Sequence, residues 1–169
     1  MLFYARSDSV EKDYFVKKVL LEDVVHIAIM DYMDSFIQKK ISLDVYNLEN
    51  YVYIDEKWIT FIMCQVLQNS IKYLNKPEKI IKIHSENNKN NVLLVIEDNG
   101  EGILDHDLPR VFEYGFTGTD RQKQYSTGIG LYLCKKLCNK MNLDIKIESQ
   151  YKKFTKVKII FPKTNLYRQ

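Results

Sequence analysis

No stretch of this 169-residue chain approaches the roughly 18 consecutive apolar residues that a membrane span needs, so the sequence as given holds no membrane-spanning segment. Charge of one sign is also missing. Against 25 Lys and Arg stand 22 Asp and Glu, a net charge of +3, which is too small to mark a nucleic-acid binder. The basic stretch YKKFTKVK alternates with apolar residues and reads as the solvated face of a strand, so no nucleic-acid partner is expected. Cysteine is scarce and odd in number, with only Cys64, Cys134 and Cys138. That excludes a disulfide framework and suits a reducing compartment. Cys134 and Cys138 stand one helical turn apart, but no His or second Cys pair accompanies them. Core thiols are expected there, not metal ligands. With three prolines, no repeat and no low-complexity tract, nothing marks a linker, and the length fits one domain. Glycine is the most telling scarcity: all six residues lie between Gly100 and Gly130. The chemistry that needs glycine is confined to that stretch.

Hydrophobic residues make up 46% of the chain, enough for a real core, and their spacing predicts its elements. Helical periodicity runs from about Leu21 to Lys39. ISLDVYNL alternates as a strand, and YVYI is a second, shorter one. Asp55 is placed to cap a long helix, EKWITFIMCQVLQNSIKYL. EKIIKIHSEN and NVLLVIED form a predicted hairpin turning in NKNN. From Gly100 to Ser126 no period is sustained, which in a compact domain points to function. TGIGLYLCKKLCNKM reads as a helix capped by Thr127. LDIKIESQY and FTKVKIIF close a second hairpin. Helices alternating with antiparallel strand pairs imply an α+β sandwich with one sheet face under the helices.

Three motifs carry chemistry. On the long helix, Gln65, Asn69 and Lys72 fall at i, i+4 and i+7 on one face, with Tyr73 beside them, while Phe61, Ile62, Val66 and Ile71 suit the core side. Alone, this stripe is a plain solvent face; beside the glycine motifs it reads as part of a site. In EDNGEGI, a strand ends in Asp98. A fixed carboxylate there can accept from the exocyclic amine of adenine and would repel the carbonyl oxygen of guanine. Gly100 and Gly102, without Cβ atoms, would let backbone approach the ring. A simple Asn-Gly turn at Asn99-Gly100 is the plainer alternative. In Ser126-Thr127-Gly128-Ile129-Gly130-Leu131, free N–H groups at a helix start suit phosphates. This is neither a Walker A loop nor a dinucleotide fingerprint, because the residues those motifs require do not follow. Between the second and third motifs, Phe112 and Phe116 stand four apart in a polar run with Gly115 and Gly118. A lid that closes over a ligand has that composition.

In this order, the asparagine helix, D-x-G-x-G, phenylalanine-bearing lid and G-x-G at a helix start resemble the ATP-binding domain of bacterial sensor histidine kinases, within the GHKL superfamily. The match runs from about Asp55 to Pro162. The resemblance implies a Bergerat-type fold, a mixed, mostly antiparallel sheet packed under about three helices with a long ATP lid. It implies ATP and Mg²⁺ as cofactors. Asn69 then holds Mg²⁺ through its amide oxygen, Lys72 contacts phosphate, and Tyr73 packs near the nucleotide. Asp98 reads adenine, and Gly100, Gly102 and Ile103 form the first glycine box. Phe112 and Phe116 lie in the F-box region, and Thr127, Gly128, Gly130 and Leu131 form the second glycine box. Arg121, in the lid, is a candidate for reaching the γ-phosphate. Gln65 stands where hydrolytic members of the superfamily carry a water-polarising Glu. An amide cannot act as that base, which favours phosphoryl transfer over hydrolysis. VFEYGFTG with STGIGLYLCKKL is similar to the small kinases that work beside peptide-antibiotic transporters.

Such a kinase phosphorylates its own histidine on a dimerising helix. Here His26, His84 and His106 do not sit in such a motif; in HDLPR the proline follows His106 too early. LFYARSDS resembles the end of a dimerisation helix. Residues 1–10 are therefore expected to be its remnant and residues 11–169 the catalytic domain, cut from a longer protein with Met1 an artificial start. The implied partners are the dimerisation and phosphoacceptor domain of that parent and a response regulator. The fragment is expected to be a monomer, the parent a homodimer in the bacterial cell membrane with this domain on the cytoplasmic side. An anti-sigma-type serine kinase uses the same fold at this length, and a nucleotide-binding module without turnover is the non-enzymatic alternative.

Overall fold

The computed structural model describes residues 14–119 and 128–163. The expected helix remnant at residues 1–10, Arg121, Ser126 and Thr127 lie outside them. The chain begins with strand β1 (Lys17–Leu20), helix α1 (Leu21–Asp31) and helix α2 (Met33–Gln38). Strands β2 (Ile41–Tyr46) and β3 (Tyr51–Ile54) lead into the long helix α3 (Glu56–Lys72). The hairpin β4 (Lys79–Asn87) and β5 (Asn91–Asp98) follows, then an irregular stretch with one 3₁₀ turn at Leu108–Arg110. Helix α4 (Gly130–Lys140) and the hairpin β6 (Asp144–Gln150) and β7 (Phe154–Pro162) complete it.

The main sheet has five strands in the order β2-β4-β5-β7-β6. Only β2 and β4 run parallel; the other neighbours are antiparallel. The expected alternation of helices with antiparallel pairs is corrected at this point. ISLDVY is a strand as predicted, but its partner is β4, reached through β3 and α3, and a crossover of that kind makes a parallel pair. YVYI pairs outside the main sheet, antiparallel to β1, a strand that the sequence did not announce. The helix expected from Leu21 to Lys39 breaks at Tyr32, whose backbone sits at φ −111° and ψ 11°. Asp55 caps α3 as predicted: its Oδ1 accepts from the N–H of Lys57 at 2.9 Å and of Trp58 at 3.4 Å. Its other oxygen accepts the N–H of Phe15 at 2.8 Å.

One sheet face is buried under α1, α3 and α4. Ile81, Ile83, Leu94, Ile96, Ile145 and Ile159 pack there against Ile59, Ile62, Met63 and Leu67 of α3. Cys134 and Cys138 belong to this core, and burial pushes the Cys138 thiol up to about 12. The opposite face is more exposed, although Val95 on it is buried, and the strand registers build a charge ladder across it. Asp44, Lys82, Glu97, Lys156 and Glu148 stand in one row, alternating in sign across all five strands. Lys156 Nζ lies 3.4 Å from Glu97, and Lys158 reaches Glu148 at 2.6 Å. Directly opposite charges stabilise a sheet and like charges destabilise it. Reversing one rung, Lys156→Glu, places three acids side by side on β5, β7 and β6. It is expected to cost about 1–2 kcal/mol, read as a lower urea midpoint, and the loss should shrink at high salt because these groups face water.

Candidate functional site

Helix α3, the end of β5, the loop 99–104, the segment up to Gly118 and the start of α4 enclose a cleft of about 360 Å³. The polar stripe of α3 faces it: Gln65, Asn69, Lys72 and Tyr73 all line the cleft. The helical period explains how, since Ile62, Val66 and Ile71 turn into the core and leave the stripe on the remaining face.

Asp98 is the last inward-facing residue of β5, following Val92, Leu94 and Ile96 on that face, and it is buried. A carboxylate at an apolar strand position needs partners. Its Oδ1 accepts from the N–H of Gly100 at 2.9 Å, and the Ser70 hydroxyl also donates to it. Burial nevertheless dominates and pushes the Asp98 carboxyl up to about 6. Ser70 and Thr155, which sits across from Asp98 in register on β7, were not singled out by the sequence reading. Both line the cleft beside Asp98.

The glycines of EDNGEGI are also pressed against the protein's own backbone. Gly102 lines the cleft, but Gly100 is not among its lining residues. A Cβ on Gly100 would stand 2.6 Å from the carbonyl oxygen of Tyr73, and one on Gly102, at φ +71°, would stand 2.2 Å from that of Gln150. The backbone that approaches so closely is the protein's own. The end of α3 lies on one side and the β6–β7 turn on the other. Hydrogen bonds hold this clamp: Glu101 N–H to Tyr73 O at 3.0 Å and Ile103 N–H to Ser149 Oγ at 2.8 Å. Asn99 makes no simple Asn-Gly turn. It accepts from Ile80 N–H and donates to Glu78 O, both at 2.9 Å, and so ties the loop to the start of β4.

Across the cleft, Phe116 lines the wall, whereas Phe112 packs against the core, with Lys135 over its ring at 5.6 Å. The pair expected to act together is thus divided between cleft and core. Gly128, Gly130 and Leu131 line the cleft. Gly128 lies against Gly115 and Phe116, where a Cβ would stand 2.4 Å from backbone, and its carbonyl accepts from Gly115 N–H at 3.0 Å. Helix α4 starts at Gly130 with Ile129 in the N-cap position and no side-chain cap bond. Thr127, the expected cap, lies outside the described residues. Gln65 Oε1 lies where a Cβ on Gly130 would be 2.7 Å away, so this amide seats α3 on the first turn of α4. Lys72 is exposed, with its ammonium 5.5 Å above the Tyr73 ring. The arrangement offers a buried acceptor at the end of β5, a helix N-terminus at Gly130 and, along α3, two amides and a lysine.

Residues 54–165 match the family described as histidine kinase-, DNA gyrase B-, and HSP90-like ATPase. The sensor protein BceS of Halalkalibacterium halodurans is 37% identical over 97% of this chain and 49% of its own length. The sensor protein kinase GraS of Staphylococcus aureus is 36% identical over 97% of this chain and 47% of its own. The chain thus spans about half the length of these relatives. Among solved structures, the catalytic domain of the histidine kinase ThkA superposes with a TM-score of 0.74 at 21% identity, covering 88% of this chain and 96% of that one. The mycobacterial sensor histidine kinase MprB gives 0.75 at 20% identity, covering 86% and 97%. At such identities these structures establish the fold.

The raised Asp98 carboxyl sets a sign for stability. Between about pH 4 and 6 the folded chain keeps a proton that the unfolded chain has lost, so stability falls as pH rises through that window. Asp98→Asn, which retains an acceptor for Gly100 and Ser70, should therefore be as stable as the parent at pH 4 and up to about 2 kcal/mol more stable at pH 7.5. Urea unfolding at both pH values checks this, and a variant less stable at pH 7.5 would contradict it.

Proposed function

This chain belongs to the histidine kinase-, DNA gyrase B- and HSP90-like ATPase family, and from that membership we propose that it is the ATP-binding catalytic domain of a two-component sensor histidine kinase. It delivers the γ-phosphoryl of Mg-ATP to a histidine on a dimerisation domain that belongs to the whole protein. The observation that carries this reading is the buried Asp98 carboxylate on a cleft whose other walls present amides, a lysine and a helix N-terminus.

The roles follow from the chemistry of each group. The Asp98 carboxylate accepts a hydrogen bond from the exocyclic amine of adenine and rejects guanine. The open N-terminal turn of α4, with Gly128 and Gly130 at its start, and the Lys72 ammonium suit phosphate oxygens. Among the described residues, no group of three or more His, Cys, Asp or Glu could hold a metal by itself. Asn69 would hold a magnesium ion through its neutral amide oxygen, a donor that suits this cation. Magnesium supplies charge neutralisation between phosphate groups. Gln65 orients but cannot accept a proton from water, so the site favours transfer over hydrolysis.

The proposal extends to the whole protein, since the relatives are named sensor proteins. Residues 11–169 form the catalytic domain, a reading that the family match over residues 54–165 supports. The whole protein is a membrane-anchored homodimer that passes phosphate to a response regulator, while this piece alone is a monomer. Its kinship lies with kinases that act beside peptide-antibiotic transporters.

Calorimetric titration tests the nucleotide site. Mg-ATP should bind and GTP should not, and Asp98→Ala should weaken ATP by about ten- to a hundredfold, the worth of a hydrogen bond to a charged group. Equal binding of ATP and GTP would overturn the adenine reading. With a dimerisation fragment and labelled ATP, acid-labile, base-stable label on histidine is the expected product. Label on serine would move the chain to the serine-kinase branch.

A further inference from the structure

The stretch His106-Asp107-Leu108-Pro109-Arg110 has no part in the reading above, yet Asp107 is among the most buried polar residues of the molecule, 5% exposed, and it lines the cleft. Its Oδ2 accepts from both the backbone N–H and the hydroxyl of Thr119, each at 3.2 Å. Its own N–H donates to Leu104 O at 2.9 Å, and its carbonyl accepts from Arg110 N–H at 2.9 Å. One residue therefore ties the turn at 104–110 to the chain 12 positions on. The segment between these two anchors supplies Val111, Phe116, Thr117 and Gly118 to the cleft wall. Gly118 leaves space for the contact, since even a Cβ there would stand 3.7 Å from Oδ2.

The second carboxylate oxygen is the informative one. Oδ1 is buried and has no hydrogen-bond partner among the described residues. The nearest basic group is the exposed imidazole of His106, whose Nε2 lies 3.5 Å away and also meets Thr119 Oγ1 at 3.1 Å. Burying a carboxylate with one oxygen unpaired is costly. A solvent-facing Ser or Asn would hold a simple surface turn at lower cost, so the placement points to a task at the cleft.

We propose that Asp107 is a positioning residue for the nucleotide: by fastening Thr119 to the turn at 104–110 it sets the wall that residues 111–118 present to the ligand. This rests on the ATP reading of the cleft. Asp107→Asn keeps an acceptor for Thr119, and its amide nitrogen takes the place of an oxygen that accepts no hydrogen bond among the described residues. The conservative variant should therefore rescue what alanine loses.

The test compares Asp107→Ala, Asp107→Asn and Thr119→Val with the parent, in melting temperature, in Mg-ATP affinity and in deuterium exchange of the Thr119 amide in the free protein. Asp107→Ala should bind Mg-ATP about five- to tenfold more weakly, Thr119→Val about threefold more weakly and Asp107→Asn within about twofold of the parent. Melting temperatures should stay within about 3 °C of the parent, and Thr119 exchange should rise only in the alanine variant. Parent-like affinity in Asp107→Ala, or a loss in Asp107→Asn equal to that in alanine, would overturn the proposal. If Asp107→Ala does not fold, Thr119→Val decides by the same affinity measurement. If the parent itself binds no ATP, the nucleotide reading fails. The tie is then judged on amide exchange alone, and unchanged exchange in Asp107→Ala rejects it.

Discussion

The clamp on the loop 99–103 is the constraint on which the rest of the site depends. Two backbone carbonyls, those of Tyr73 and Gln150, close on Gly100 and Gly102 to distances that no Cβ tolerates. The loop thereby joins the C-terminal end of α3 to the β6–β7 turn, which Lys76 Nζ, just beyond α3, also reaches at the carbonyl of Lys153, 3.2 Å away. Asp98 immediately precedes it, and its oxygen accepts the N–H of Gly100. The carboxylate is fixed because the loop is fixed. Binding groups gain most when their position is set before the ligand arrives, and here it is set by covalent backbone, not by mobile side chains.

The energetic cost of this arrangement is visible in Asp98 itself. A carboxylate placed where β5 would otherwise carry a fourth apolar residue holds its proton to about pH 6. Gly100 and Ser70 offset that burial only in part. The site is therefore destabilised locally, and the sheet and core carry the difference. On the inner face, α3 contributes both the apolar side that holds it to the sheet and the polar stripe that lines the cleft. On the outer face, the alternating charge ladder keeps an open sheet soluble in register without apolar cover.

Much of this was legible in the sequence because periodicity reports which face a residue occupies. The stripe Gln65, Asn69, Lys72 and Asp98 at a strand end could be read that way, as could the glycine boxes. Periodicity does not report partners. β2 was visible as a strand but not as a parallel neighbour of β4, and Lys17-Lys18-Val19-Leu20 is too short and too charged to announce β1. Tyr32 breaks a helix without proline or glycine, so no local signal marks it. Ser70 and Thr155 are ordinary hydroxyl residues until the fold sets them beside Asp98, and a single Asp in an irregular run, such as Asp107, has no pattern to betray its burial. Gly100 and Gly102 also meet the protein's own backbone, which no pattern announces. Sequence shows that a Cβ is not wanted, but only the fold shows whether ligand or protein fills the space.

Asp55 has a consequence of its own. One of its oxygens caps α3 and the other receives the N–H of Phe15, so a single carboxylate serves as both hinge pin and doorstop. The chain arriving from the N-terminal side and the helix that ends at Lys72 share this fastening, although the helix is about 25 Å long at 1.5 Å per residue. Whatever pulls residue 15 out of place also removes a partner from the group that starts the helix. Only a carboxylate, with two acceptor oxygens, serves both fastenings at once; an amide or hydroxyl at position 55 keeps the cap of the helix bearing Asn69 and releases the incoming chain.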